Sequence, residues 1–318
     1  MKKVYIVAGG TGGHINAALA MAEELEKDFD IHFLSGTRYL DKKLFKGKKV
    51  THLASRPLRT KNPIQLFINI FLNALIFLNI LISYISHRPS FVIGAGGYIC
   101  GPTLLAAKML WIPIFIIEQN AVAGVTNKIL SQMSNITFTN FKNTKGIKPG
   151  AKVSCVGNPI RASITETSNK VVEKINVLIF GGSLGAEQIN EAILFLLESK
   201  SLEQFNIKHQ VGKGNLKYKV AKSYANYEQF EYIEDMHEVY EWSNIIISRA
   251  GASTISELRV VKRPSILIPY PLATDNHQYY NALELKEEDL SYIAVIDHTK
   301  RGKSLADDIF SSLNIITE

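Results

Sequence analysis

Residues 4–25 read VYIVAGGTGGHINAALAMAEEL, and residues 175–197 read INVLIFGGSLGAEQINEAILFLL. Each begins as a short apolar run, Val4 to Ala8 and Ile175 to Phe180. Each breaks at a glycine-rich turn, Gly9 to His14 and Gly181 to Ala186, and resumes as an apolar-rich helical pattern. Strand, glycine turn and helix form the opening unit of a parallel α/β domain. Further apolar runs at Ile31–Leu34, Phe91–Ile93, Ile114–Ile117 and Ile136–Phe138 alternate with helical patterns. The chain therefore reads as two tandem domains of similar build, 1–158 and 159–318. The Gly157-Asn158-Pro159 break and a polar stretch to Asn169 join them. Open parallel sheets bind ligands beyond the carboxyl ends of their strands, so both glycine turns are expected to face a shared cleft.

A length of 318 residues suits two domains of ordinary size. With 46% hydrophobic and 20% charged residues, the composition is that of a globular protein with an apolar bias. Cys100 and Cys155 are too few for a disulfide framework and lack metal-ligand spacing, which favours a reducing compartment. The N-terminus enters a strand within a few residues, leaving no expected room for a signal peptide. Charge is unevenly shared. Residues 1–160 carry 19 Lys and Arg against 7 Asp and Glu, a net +12, and the remainder carries 17 against 22, a net −5. A basic first half implies an anionic partner or surface.

Neither turn is a dinucleotide fingerprint. Ile15 stands at the third glycine position of the first turn, and Ser183 replaces a needed glycine in the second. No acidic residue follows the second strand of either half, so a ribose-binding carboxylate for NAD is missing. A P-loop sequence is absent as well, which sets aside the commonest NTPase reading.

Ile64 to Ile85 is the most apolar stretch, with no charge in it. Gln65, Asn69, Asn73, Asn79, Ser83 and Ser86 fall within an arc of roughly 140° at about 100° per residue, giving one uncharged polar stripe. By length it qualifies as a membrane span. A buried core helix and an interfacial helix are the other readings. Arg56, Arg59, Lys61, His87 and Arg88 flank it, and basic residues beside an apolar face favour the interfacial one on an anionic membrane.

In the second half, a buried strand ending at Ser248 breaks at Gly251 and restarts as a helix at Thr254-Ile255-Ser256-Glu257, which fits a capping box. Such a helix start is a seat for phosphate. Glu257 could close the box or accept hydrogen bonds from a ribose diol. A polar loop with Asp275, Asn276, His277 and Gln278 follows the next strand and could reach a sugar or a diphosphate.

Taken in order, several segments resemble the MurG family of membrane-associated N-acetylglucosaminyltransferases. They are Gly9-Gly10-Thr11-Gly12-Gly13-His14, Gly96-Gly97-Tyr98, Glu118-Gln119-Asn120, Gly157-Asn158-Pro159-Ile160-Arg161, Gly181-Gly182-Ser183, Tyr232-Ile233-Glu234-Asp235-Met236, Arg249 through Glu257, and Gln278-Tyr279 with Asn281-Ala282. The resemblance implies the GT-B fold, two Rossmann-like doubly wound α/β domains facing an interdomain cleft. It implies an inverting transfer from UDP-N-acetylglucosamine to the 4-hydroxyl of N-acetylmuramyl-(pentapeptide) pyrophosphoryl-undecaprenol, converting lipid I to lipid II at the cytoplasmic face of the cell membrane. No cofactor, metal or nucleic acid is expected.

Roles carried over by the resemblance follow the matching positions. Thr11, Gly12 and Gly13 approach the diphosphate and donor sugar. Asn120 contacts the N-acetylglucosamine, and Arg161 and Ser183 the nucleotide side. Ile233 offers backbone contacts to the uracil. Ala252, Ser253, Thr254, Ile255, Ser256 and Glu257 hold phosphates and ribose, with Glu257 on the ribose. Gln278 contacts the sugar hydroxyls, and Gly96, Gly97 and Tyr98 lie on the acceptor side. His14 is the candidate base and Glu118 its rival, whose bland reading is a brace for the Asn120 loop. Asn16, Ala17, Ile117 and His277 depart from the family pattern, and only Ser304 to Leu313 reads as a terminal helix. Two alternatives remain at this point: a related GT-B enzyme on the same donor with another acceptor or epimerase chemistry, and a non-catalytic sugar-nucleotide-binding membrane subunit.

Overall fold

A computed structural model describes residues 1–160, 163–164, 166–167, 173–182, 184–199, 202–215 and 224–318. The chain divides into two compact units, Met1–Ile160 and Arg161–Glu318. The first is built on seven parallel strands: β1 (Lys2–Ala8), β2 (Phe29–Ser35), β3 (Val50–His52), β4 (Phe91–Gly96), β5 (Ile114–Glu118), β6 (Ile136–Thr139) and β7 (Val153–Cys155). They lie in the order β3-β2-β1-β4-β5-β6-β7. β1 pairs with β2 on one side, Val4 opposite Ile31, and with β4 on the other, Val4 opposite Phe91. The connections leave β1 in opposite directions, so the crevice beyond its carboxyl end is the place where such sheets take ligands. The glycine turn stands there.

Burial explains why β1 is an unbroken apolar run. Val4, Ile6 and Ala8 pack with Ile15, Ala18 and Ala22 of α1 (Gly12–Leu25). Tyr5 and Val7 point the other way, toward Ile80 and Tyr84 of α3 (Pro63–Ser86) and Leu104 of α4 (Cys100–Met109). A strand covered on both faces has no room for alternation. The three-residue strands β3 and β7, at the sheet's edges, leave too short a pattern to be read from sequence. Two short helices complete the unit, α2 (Tyr39–Leu44) and α5 (Val125–Leu130).

The second unit repeats the plan with six parallel strands, β8 (Ile175–Phe180), β9 (Phe205–Gln210), β10 (Tyr227–Phe230), β11 (Ile245–Ser248), β12 (Ser265–Leu267) and β13 (Ile293–Val295), in the order β10-β9-β8-β11-β12-β13. Its helices are α6 (Glu187–Ser199), α7 (Met236–Trp242), α8 (Ala252–Val261), α9 (His277–Glu287) and α10 (Gly302–Thr317). The terminal helix α10 is longer at both ends than Ser304–Leu313. Its stripe of Leu305, Ile309 and Leu313 packs with Ile189, Ile193 and Leu196 of α6, and Ile316 continues the contact.

α3 carries its polarity in an unexpected direction. Asn69, 3% exposed, donates to the Pro57 carbonyl at 2.8 Å. Asn73 donates to the Arg56 carbonyl at 2.8 Å and accepts from the Ser55 hydroxyl at 2.7 Å. Part of the polar stripe thus faces the protein, while Ile64, Phe67, Phe71, Ile82 and Ile85 are 57–73% exposed. The helix is long and apolar enough to cross a membrane by length and composition, yet only 11% of its apolar window is buried. A buried core helix is therefore not what the fold contains. The amides on its inner side are satisfied by the segment that precedes it.

One buried polar cluster sets a pH limit on the second unit. His209, 1% exposed, lies with Nε2 3.1 Å from Asn190 Oδ1 and Nδ1 2.9 Å from the Tyr227 hydroxyl. An amide oxygen only accepts, so Nε2 carries the proton and the neutral ring accepts from Tyr227. Loss of solvation pushes His209 from 6.5 down to about 3. The unfolded chain then binds one more proton than the folded one between these values. Stability is expected to fall by about 1.4 kcal/mol per pH unit from this group as pH drops from about 6.5 toward 3. Urea denaturation at stepped pH should show that slope in the native protein and a shallower one in His209→Gln; parallel curves would refute it.

Candidate active site

In the first unit the turn Gly9–Gly13 meets the turn after β4. Gly9 N–H donates to the Gly96 carbonyl at 3.3 Å. Gly97 sits at φ +94, and a Cβ there would strike the Gly9 carbonyl, so only glycine permits this approach. Gly96, at φ +117, lies against the His14 ring: its Cβ would come within 2.5 Å of Cδ2. Thr11 caps α1, its hydroxyl accepting from His14 N–H at 3.4 Å. His14 Nδ1 is 3.2 Å from the Gly9 carbonyl. A carbonyl accepts only, so this contact places the proton on Nδ1 and makes Nε2 the basic nitrogen of the neutral ring.

Two residues that sequence reasoning missed hold this turn. Asp41, 1% exposed, accepts from Gly10 N–H through Oδ1 at 2.9 Å and from Arg38 N–H through Oδ2 at 3.1 Å. Arg38 in turn reaches the Gly10 carbonyl with Nη1 at 3.4 Å, its guanidinium 5.3 Å from the centre of the Tyr98 ring. Among the described residues no carboxylate forms an ion pair with it. The only signal in the sequence is an acidic residue three positions after Arg38 at the start of a short helix.

Glu118, the rival base, has the surroundings of a brace. It is 3% exposed, and four donors surround it. Asn120 N–H and Nδ2 reach Oε1 at 3.0 and 3.4 Å, and Gly124 N–H and Asn127 Nδ2 reach Oε2 at 2.9 and 2.8 Å. With its acceptor capacity filled this way, the carboxylate is poorly placed to take a substrate proton. It holds the loop that presents Asn120.

In the second unit α8 begins at Ala252 with Gly251 as its cap and no side-chain cap bond. The capping box expected at Thr254 and Glu257 is not formed, because the helix starts two residues earlier and Thr254 is already inside its first turn. The free N–H groups of that turn still point outward. Ser253 and Thr254 are half-buried there, whereas the Ile255 side chain is fully buried and Ser256 bonds back to the Ala252 carbonyl at 2.9 Å. The last two therefore serve α8 itself with their side chains. Glu257 Oε2 accepts from the Tyr240 hydroxyl at 2.7 Å.

Other sequence-predicted positions are held by hydrogen bonds of their own. Ile233 N–H donates to Gln210 Oε1 at 2.8 Å, and Gln210 Nε2 donates to the Gly182 carbonyl at 2.9 Å. Gln210 thus ties the second glycine turn to the Ile233 segment and takes up the Ile233 N–H. Gln278 Oε1 accepts from Tyr270 N–H at 2.9 Å. Just before it, Asp275 and Asn276 both sit in the left-handed region, φ 52 and 54, a strain of about 1–3 kcal/mol each that tends to collect at functional loops. Arg249, 8% exposed, donates through Nη1 to Gln188 Oε1, Ile268 O and Pro269 O at 2.9–3.0 Å. Burial pushes its guanidinium down to about 10. Arg161 and Ser183 lie outside the described residues.

The chain does contain one Asp-x-Asp spacing, Asp28-Phe29-Asp30, at the opposite end of β2 from the turns; Asp30 pairs with Lys49 at 2.5 Å. Among the described residues no group of three or more His, Cys, Asp or Glu could hold a metal.

Residues 4–139 match the glycosyltransferase family 28 N-terminal domain and residues 176–313 the glycosyltransferase family 28 C-terminal domain. The UDP-N-acetylglucosamine--N-acetylmuramyl-(pentapeptide) pyrophosphoryl-undecaprenol N-acetylglucosamine transferase of Myxococcus xanthus is 36% identical over 299 residues, 90% of this chain and 78% of its own length. The protein of that name from Shewanella baltica OS155 is 34% identical over 321 residues, covering 96% and 88%. Among solved structures, MurG of Acinetobacter baumannii superposes with a TM-score of 0.78 at 29% identity, covering 98% of this chain and 90% of that one.

The brace assignment of Glu118 is testable. Glu118→Gln turns an acceptor into an N–H donor facing other donors, with an expected loss of about 1–3 kcal/mol. Thermal unfolding should shift down by several degrees, with the donor KM raised. A base would behave oppositely, with kcat collapsing at unchanged melting temperature.

Proposed function

This chain belongs to glycosyltransferase family 28 and within it to the MurG transferases, and from that membership we propose how its residues divide the reaction. The protein transfers N-acetylglucosamine from UDP-N-acetylglucosamine to the lipid-linked muramyl-pentapeptide, making lipid II from lipid I. It has the GT-B fold. High coverage by relatives that share one name favours this over an epimerase, another acceptor or a non-catalytic subunit.

The donor is assigned to the second unit. The first turn of α8 receives the diphosphate through Ala252, Ser253 and Thr254; Ile255, whose N–H donates to the Gly251 carbonyl at 2.9 Å, and Ser256 shape that turn. Glu257 takes the ribose, the Ile233 carbonyl the uracil, Gln278 the sugar hydroxyls, and Arg161 and Ser183 the nucleotide side. The first unit supplies Thr11, Gly12, Gly13 and Asn120 to the donor sugar and Gly96, Gly97 and Tyr98 to the acceptor. In the chemical step the acceptor 4-oxygen bonds to the anomeric carbon from the face opposite UDP. The bond from that carbon to the β-phosphate oxygen breaks, and its electron pair leaves with UDP. The hydroxyl proton passes to His14 Nε2. The observation that carries this role is the His14 Nδ1 contact with the Gly9 carbonyl, which fixes the tautomer and orients the ring. Charge on the departing UDP is met by the α8 N–H groups and by Arg249, two residues before the helix cap, whose hydrogen-bond partners among the described residues are neutral.

The outer face of α3, with Arg56, Arg59, Lys61 and Arg88 near its ends, is assigned to an anionic membrane at the cytoplasmic face. A surface of Ile64, Phe67, Phe71, Ile82 and Ile85 costs free energy in water that insertion among acyl chains recovers.

UDP release from UDP-N-acetylglucosamine, with and without a lipid I analogue, tests the catalytic reading. Release should require the acceptor and fall about 100- to 10,000-fold in His14→Ala; full release in the variant would remove His14 from its role. Sedimentation with vesicles containing anionic lipid tests the membrane reading. The paired change Phe67→Glu and Phe71→Glu should leave the protein in the supernatant while turnover of a soluble acceptor analogue persists. Undiminished pelleting would overturn it.

A further inference from the structure

The donor-side reading gives Glu257 to the ribose but leaves open what aims it. A glutamate has three side-chain torsions, and fixing them costs up to about 2 kcal/mol of rotamer freedom. Tyr240, from the separate helix α7, touches the carboxylate, its hydroxyl 2.7 Å from Glu257 Oε2. Tyr240 is fully buried, and its ring packs edge-on against Phe180 of β8 at 6.2 Å. Ser243 Oγ bonds to the Tyr240 carbonyl at 3.0 Å, holding the turn of α7 that carries it. The phenol is thus a rigid post with its polar tip against a half-buried carboxylate. Glu257 lies one turn after Ser253, on the same side of α8 and about 6 Å further along its axis. That step matches the distance from a nucleotide's phosphates to its ribose.

We propose that Tyr240 is a positioning residue for the ribose: its hydroxyl holds Glu257 in the orientation that reads the 2′,3′-diol and so sets the preference for ribonucleotide over deoxyribonucleotide donors. This rests on the placement of Glu257 at the ribose. A Tyr at this place looks, from sequence alone, like one more apolar position of α7. Only the approach of two helices seventeen residues apart in the chain gives its hydroxyl a task.

The test is isothermal titration of wild type and Tyr240→Phe with UDP, 2′-deoxy-UDP and 3′-deoxy-UDP, with melting temperatures measured alongside. Wild type should prefer UDP over both deoxy analogues. In Tyr240→Phe that preference should shrink about tenfold, the worth of one charge-assisted hydrogen bond, because UDP weakens while the deoxy analogues do not. A variant that loses all three ligands alike has lost packing only, and one that keeps the wild-type preference has lost nothing; either overturns the proposal. A wild type that binds UDP no better than its deoxy analogues would instead remove Glu257 from the ribose. Should Tyr240→Phe fold poorly, Glu257→Gln and the double variant complete a cycle. The double variant should discriminate no worse than Glu257→Gln alone, and additive losses would overturn the coupling.

Discussion

Everything at the two sites depends on the parallel strands being covered on both faces. In β1 the side chains of Val4 and Ile6 are consumed on one face and those of Tyr5 and Val7 on the other. In β8, Val177 and Ile179 pack against α6 and α10. Strands committed this fully to packing have no side chain left for chemistry, so function falls to the turns beyond their carboxyl ends, where backbone N–H and C=O groups are still available. In the first unit the turns after β1 and β4 press together until a Cβ at Gly97 would be impossible. That contact gives His14 a fixed carbonyl on one side and a flat glycine surface on the other. The position of the proposed base is a consequence of how closely two backbones approach.

Much of this was legible in the sequence because both periodicities are local. The runs at Val4–Ala8 and Ile175–Phe180, their glycine turns and the following helices fall where the pattern places them. What stayed hidden is long-range pairing. Asp41 meets Gly10 across 31 residues, Gln210 meets Ile233 across 23, and Tyr240 meets Glu257 across 17. No local pattern marks such partners. The capping box failed for a related reason. Thr254 and Glu257 have the right spacing, but Gly251 ends the approach to the helix early enough for α8 to start at Ala252. Spacing describes what a segment could do; the start of the helix decided what it did.

The case of α3 shows a different limit. Periodicity located a polar stripe and could not say which way it faces. In an ordinary water-exposed helix the stripe would face solvent. Here Asn69 and Asn73 turn inward because the segment 55–57, which returns along the helix, offers carbonyls and a hydroxyl at hydrogen-bonding distance. An amide buried with its partners costs little, whereas the same amide facing hydrocarbon would cost several kcal/mol, on the order of 2–7. Tucking the polar groups against the protein leaves an outer face suited to lipid. That outer face is the one assigned above to an anionic membrane.

Charge follows the same logic of compensation. Glu118 and Asp41 are buried, and their oxygens are met by N–H donors, for Glu118 from the residues that follow it and for Asp41 from Arg38 and, across 31 residues, Gly10. Arg249 is the opposite case, a guanidinium buried among a glutamine and two carbonyls. Arg38 is exposed, but it too is held by a carbonyl and an aromatic face without an ion pair among the described residues. Removing a cation from water without a counter-charge is expensive, and burial already lowers the proton affinity of Arg249. A protein keeps such a cation where a ligand supplies the missing charge. The substrates of this reaction carry diphosphates on both donor and acceptor. On the assignment proposed above, Arg249 stands two residues before the α8 cap, where the charge of a donor diphosphate would offset the cost of its burial.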